Sequence, residues 1–195
     1  MSAPADRRFT RSTALAALTR LGEKLAARGV VADMYLVGGA AMALAYDAER
    51  FTQDIDAVFV PTTEVYQAAE VVGDELRLPS GWLNHAAKGF VPGSDPAQGA
   101  VLEMPGLKVT AASPEYLLGM KLLAARVERD RQDIRYLADL MDLATSAQVL
   151  AVIQRLYPVD SLHPRTRFLV EEMFPAQAAE MGGDPDAGRA NTGRD

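Results

Sequence analysis

The sequence contains no cysteine. That absence excludes disulfides, thiolate-ligated zinc and cysteine nucleophiles, and it fits a reducing, cytoplasmic setting. Histidine is nearly as scarce: only His85 and His163 occur, far apart, which argues against a histidine-built metal site. Any bound metal should therefore sit on carboxylate oxygens, and such donors select a hard cation, Mg2+ or Mn2+. No apolar run approaches the roughly 18 residues that a membrane span needs, and the opening MSAPADRRFTRS has no apolar stretch behind its arginines. The expectation is a cytoplasmic protein with no membrane partner. There is one tryptophan, Trp82, in an irregular stretch, where a core anchor is the first reading and stacking on a base the second.

The net charge of -6 argues against a protein that coats nucleic acid non-specifically. It leaves room for a local basic groove, and basic residues do cluster at Lys121, Arg126, Arg129, Arg131 and Arg135 and again at Arg165 and Arg167. Hydrophobic residues make up 49% of 195 residues, enough for one domain with a helical appendage.

Helical spacing of Leu15, Leu18, Leu21 and Leu25 predicts an opening helix that Gly29 stops, after a loose polar segment 1–10. Met34 to Val37 reads as a buried strand ended by Gly38-Gly39, and 40–46 as a short helix. Ile55 to Val60 is the next strand, and Thr62 is placed to cap a helix from about 63 to 76. A short helix is expected at 82–87, and strands at 100–104 and 107–111 join through Pro105-Gly106 as a hairpin. Ser113-Pro114-Glu115 is a strong helix start, running to about 128. Further helices are expected at about 130–143, after the Thr145/Gln148 capping box, and after Pro164. This order predicts an α/β core over 1–112, a helical subdomain over 113–175 that completes the site, and a disordered tail over 176–195.

Two features carry chemistry. Asp54 and Asp56 are two apart on a predicted strand, so both carboxylates share one face and can converge on a divalent cation. Gly38-Gly39 sits between strand and helix, where backbone amides with no Cβ in the way can approach a phosphate. Taken alone, each also reads as a surface acid pair or a tight turn. In combination they point to a site for a metal-bound nucleoside triphosphate.

The pattern Gly38-Gly39-x-Ala41-x-x-Leu44, then Arg50-x-Thr52-x-Asp54-Ile55-Asp56, resembles the nucleotidyltransferase superfamily. A lysine in a leucine-rich helix, Leu118-Gly119-Met120-Lys121-Leu122-Leu123, followed by Arg126 and Arg129-Asp130-Arg131-Gln132-Asp133-Ile134, is similar to the abortive-infection-type nucleotidyltransferase toxins. Trp82-Leu83-Asn84 resembles the MenT-like branch of that group. The resemblance implies a polymerase-beta-like fold, a small mixed sheet flanked by helices. It implies Asp54, Asp56, Lys121 and Asp133 as catalytic residues. Gly38, Gly39, Arg50, Thr52 and Lys121 would hold the nucleotide. Asp54 and Asp56 would hold Mg2+ or Mn2+, with Glu103 as a third carboxylate from a later strand or else a surface acid at a hairpin end. Asp133 would fix Lys121 or a basic neighbour, or pair with Arg126 or Arg129. The implied activity moves NMP from an NTP to an RNA 3′ end, such as a tRNA acceptor, with release of pyrophosphate. The implied setting is a type IV-like toxin–antitoxin system with a separate antitoxin protein. A protein hydroxyl or an aminoglycoside is the alternative acceptor, and a degenerate binding module the non-enzymatic alternative. One departure stands out: Ala40 follows Gly39 where the superfamily often has a serine.

Overall fold

The computed structural model describes residues 8–46, 49–124, 126–158 and 161–176. Except for Ala176, the expected tail lies outside them. The chain runs α1 (Arg11–Ala27), β1 (Ala32–Leu36), α2 (Gly38–Ala41) continued by a π-turn (Met42–Tyr46), β2 (Ile55–Val60) and α3 (Thr62–Leu76). Then come β3 (Leu83–Asn84), a 3-10 turn (Ala86–Phe90), and the hairpin β4 (Gly99–Met104) and β5 (Leu107–Ala111). Helices α4 (Pro114–Ala124), α5 (Val127–Leu140), α6 (Ser146–Leu156) and α7 (Pro164–Met173) complete it.

The five strands form one mixed sheet in the order β3-β2-β1-β5-β4. β1 is antiparallel to β2 and parallel to β5. Alternation in sequence decides the two faces. Met34, Leu36, Ile55, Ala57, Phe59, Leu107 and Val109 are buried, while Asp33, Val60 and Lys108, at alternate positions, are exposed. α1 and α3 pack on each other and onto β5 and β2, covering the apolar face. Approach is close where α1 crosses the hairpin turn: a Cβ on Gly106 would lie 2.2 Å from the Gly22 carbonyl oxygen. α4 carries the remaining helices, touching α2 and the 3-10 turn on one side and α5 and α6 on the other. A mixed five-stranded sheet flanked by helices is the architecture expected of a nucleotidyltransferase fold.

Several local expectations are corrected. Residues 82–87 do not form a helix: Leu83 and Asn84 pair with Ile55 and Asp56 as a short parallel strand, and the 3-10 turn follows. The sequence hides this because two paired residues carry no periodicity. Thr62 does not cap α3; its hydroxyl donates back to the Phe59 carbonyl at 3.3 Å, and Pro61 holds the cap position. The opening segment is anchored at its end, since Phe9 and Thr52 exchange backbone hydrogen bonds of 2.6 and 3.0 Å and Phe9 is buried. The helix after Ser113 ends at Ala124, and the next starts at Val127, three residues before the expected position. Trp82 is a core anchor: it is buried and its Nε1 donates to the Ala69 carbonyl at 3.0 Å. His163 caps α7, its Nδ1 accepting from the Arg165 amide at 3.2 Å.

Buried Asp95 ties the loop before β4 to the rest of the chain. It accepts from the Tyr35 hydroxyl at 2.8 Å and the Ser113 amide at 2.7 Å. Burial, then the hydrogen bond to Asp95, holds Tyr35 protonated well above the usual phenol range. Burial likewise raises Tyr46 and Tyr157. A phenol raised in the folded state contributes stability that is complete below its unfolded value of about 10 and is lost as pH rises beyond it. The protein should therefore unfold cooperatively in alkali above about pH 10. Phenolate absorbance of these three tyrosines should appear together with loss of helical circular dichroism. Ionisation of all six tyrosines ahead of unfolding would contradict this.

Candidate active site

The site forms where the end of β1 lies beside the start of β2. β1 leads into Gly38 and Gly39, and the Val37 amide donates to the Asp56 carbonyl at 3.0 Å, so the glycine turn lies against the start of β2. Gly38 has φ +57°, a left-handed conformation that favours glycine. A Cβ there would also lie 3.3 Å from Asp56 Oδ2, so the Asp56 carboxylate rests directly on the turn. A Cβ on Gly39 would lie 2.8 Å from Thr52 Oγ1. The Thr52 hydroxyl donates to the Asp54 carbonyl at 2.8 Å and the residue is nearly buried. Thr52 therefore packs the glycine turn against the segment that presents both aspartates. Gly39→Ala should force these segments apart and lower stability by about 1–3 kcal/mol, which a urea unfolding midpoint would report.

Asp54, just before β2, and Asp56, on it, line one cavity of about 560 Å³. Asn84 of β3 lies opposite Asp56 in the register, and its side-chain amide donates to Asp54 Oδ2 at 3.0 Å. That contact was not anticipated from sequence, where Asn84 entered as part of the Trp82-Leu83-Asn84 resemblance. Across the cavity stands Lys121 of α4, 10% exposed at the side chain. Its ammonium bridges Asp130 at 2.9 Å and Asp133 at 2.6 Å, both on α5. Asp133 in turn pairs with Arg50 from the loop ahead of β2. The structure thus brings Gly38, Gly39, Arg50, Thr52, Asp54, Asp56, Lys121 and Asp133 around a single cavity.

Glu103 is not brought there. It pairs with Lys108, which pairs with Asp33, which pairs with Val60. It therefore sits three strands away and at the opposite end of β2, about 20 Å from Asp56 by strand spacing and rise. Its side chain is 74% exposed and lies 3.7 Å from Lys108, so it is a surface acid at the hairpin end. His85 does not line the cavity. It stacks on Phe59 with ring centroids 4.6 Å apart, and burial, then Lys88, lowers its pKa. Ala40 is buried, so the position after the glycine turn brings no hydroxyl to the cavity.

Arg8, beside the Phe9–Thr52 bridge, lines the cavity and was left out by sequence reasoning; Arg126, at the break between α4 and α5, lines it too, and sequence reasoning had it in the basic cluster and the downstream motif but not among the site residues. Arg8, Arg50, Lys121 and Arg126 are matched by Asp54, Asp56, Asp130 and Asp133. Formal charges therefore cancel, and a triphosphate would find its neutralising surplus only with a divalent cation. Among the described residues no three histidine, cysteine or acidic groups cluster as a metal site. Two carboxylates are a poor cage, but they suit Mg2+, which keeps waters and binds through one or two carboxylates together with substrate phosphates.

The chain is similar to one known protein family. Residues 13–159 match a family described as a nucleotidyltransferase of unknown function (DUF6036). The chain belongs to this nucleotidyltransferase family. The match spans the glycine turn, the aspartate pair, Lys121 and Asp133, so every element of the cavity except Arg8 lies inside it. No curated protein and no solved structure matches the chain. No helix among the described residues is long and apolar enough to cross a membrane.

Proposed function

We propose that this nucleotidyltransferase transfers NMP from a magnesium-bound NTP to the 3′ hydroxyl of an RNA, such as a tRNA acceptor end, and acts as the toxin of a type IV-like toxin–antitoxin pair. The observation that carries the transferase chemistry is the meeting of Asp54 and Asp56, the Gly38-Gly39 turn and Lys121 across one cavity. In this reading the acceptor hydroxyl gives its proton to solvent and its oxygen bonds to the α-phosphorus as the bond to the bridging oxygen breaks, and pyrophosphate leaves. The two aspartates hold the cation, Mg2+ or Mn2+, which supplies charge neutralisation on the phosphates when bound. The backbone of the glycine turn lies alongside the phosphates, and Asn84 orients the Asp54 carboxylate through its amide. The Lys121 ammonium and Arg50 stabilise the charge that builds on the leaving pyrophosphate.

An RNA acceptor is supported by a second cavity of about 470 Å³ that shares Arg50 with the first and adds Arg131 and Arg135. A polyanion leaving the active site would run along it. The Arg135 guanidinium is fixed over the Phe174 ring at 4.3 Å and bonds the Met173 carbonyl. The toxin role and the separate antitoxin are supported by the motif resemblance alone. The test is to incubate the protein and Mg2+ with labelled NTPs and total RNA, cell protein and an aminoglycoside. Label at RNA 3′ ends supports the reading. Label on protein or drug instead replaces the acceptor, and label nowhere, with no Mg2+-dependent NTP binding, supports a binding module. Growth arrest on induced expression, relieved by a neighbouring gene, would test the toxin role.

A further inference from the structure

The cavity has two unlike ends. The glycine turn, the aspartates and Arg50 form a charged end. α4 adds a second kind of surface, because Leu117, Met120 and Ala124 line the cavity on the same helical face as Lys121, at spacings of three and four. Phe90 joins them from the 3-10 turn, which packs on α4 and β2. The turn is held from behind, where the Tyr157 hydroxyl donates to the Phe90 carbonyl at 2.6 Å. Leu117 and Met120 are 1% and 8% exposed, but Phe90 is 43% exposed although it lines a cavity. A ring held by its backbone and bared toward a cavity is surface that a planar ligand would cover. The hydrocarbon wall adjoins the lysine that meets phosphate, and a nucleotide has that polarity: an aromatic base joined to a charged tail.

We infer that Phe90, with Leu117 and Met120, is the wall on which the base of the bound NTP lies, and that it accepts the flat face of any base without reading its edge. The inference rests on the nucleotidyltransferase reading above and adds the base subsite to it. Phe90, Leu117, Met120 and Ala124 have no side-chain group able to make a strong hydrogen bond with a base edge. The other polar side chains that line the cavity stand on other segments: Gln53 between Thr52 and Asp54, Arg8 beside Phe9, Arg126 at the break between α4 and α5, and Asp130 paired with Lys121. Strong discrimination between similar ligands needs buried polar groups that the wrong ligand leaves unpaired, and hydrocarbon contact supplies little of it. Stacking is tolerant because every base has a π-face.

The experiment is calorimetric titration of the full chain with ATP, GTP, CTP and UTP in Mg2+, for the wild type, Phe90→Ala, Phe90→Trp and Phe51→Ala. Phe51 also lines the cavity and is 59% exposed, but it adjoins Arg50 and Thr52 at the charged end. The four wild-type affinities should agree within about tenfold. Phe90→Ala should weaken all four by about tenfold, Phe90→Trp should restore them, and Phe51→Ala should weaken them less than Phe90→Ala does. An unchanged urea midpoint in Phe90→Ala would show that the fold is intact. Equal NTP affinity in wild type and Phe90→Ala overturns the base wall and leaves the transferase reading standing. So does an effect of Phe51→Ala in place of Phe90→Ala. Preference for one NTP by more than about a hundredfold overturns the tolerance. No NTP binding by the wild type overturns the transferase reading and the base wall together.

Discussion

Asp56→Asn should lower nucleotidyl transfer by roughly a thousandfold while leaving the fold intact. The substitution keeps the shape of the side chain and removes its charge. Asp56 is half-buried on β2, with its carboxylate against Gly38, and an amide fits the same space. What changes is the electrostatics of the cavity. With Asp56 neutral, one carboxylate of the pair, Asp54 just ahead of the strand, remains to hold a cation, and the Asn84 amide already occupies one of its oxygens. Arg8, Arg50, Lys121 and Arg126 then outnumber the acids, so NTP binding without metal should strengthen slightly as Mg2+-dependent transfer collapses. The measurement is transfer rate against Mg2+ concentration, with a urea midpoint as the fold control. If Asp56→Asn kept wild-type transfer at limiting Mg2+, the aspartate pair would not be the metal site.

What could be read from the sequence and what could not divides along chain distance. The glycine turn, Thr52, Asp54 and Asp56 were legible because they lie within one β-α-β passage, where local spacing fixes which face each residue takes. Lys121 and Asp133 were legible as a motif, but their geometry was not. The break between α4 and α5 turns the chain so that Asp130 and Asp133 fold back on Lys121, and no periodicity marks it. Arg8 reaches the cavity through a two-residue bridge between Phe9 and Thr52, and Asn84 reaches Asp54 through a two-residue strand. Pairings so short and so far apart in sequence leave no signal in a single chain. Glu103 failed for a related reason. It was the acid on the right kind of strand, but strand order and register, which sequence does not give, put β4 at the far edge of the sheet.

Lys121→Met should cost both activity and stability, and the two losses should separate. The lysine side chain is 10% exposed, and the Asp130 and Asp133 side chains beside it are 13% and 11% exposed. Removing the cation leaves two nearly buried carboxylates, of which Asp133 keeps Arg50 and Asp130 loses its ammonium partner. Breaking a buried ion pair from one side costs about 3–5 kcal/mol, because the remaining charge stays desolvated. Transfer should fall by about a hundredfold or more, because the ammonium no longer meets the leaving pyrophosphate. Neutralising the orphaned acid in Lys121→Met/Asp130→Asn should return most of the stability, since an amide tolerates burial better than a lone carboxylate. It should return none of the activity. Urea unfolding and single-turnover transfer on the wild type, both single variants and the double variant would close the cycle. Recovery of stability without recovery of transfer would assign Asp130 to holding the lysine and the lysine itself to the phosphates. Recovery of both would mean that Lys121 serves only to neutralise α5, and that the cation acting on the triphosphate is another, with Arg50 the nearest candidate through its shared partner Asp133.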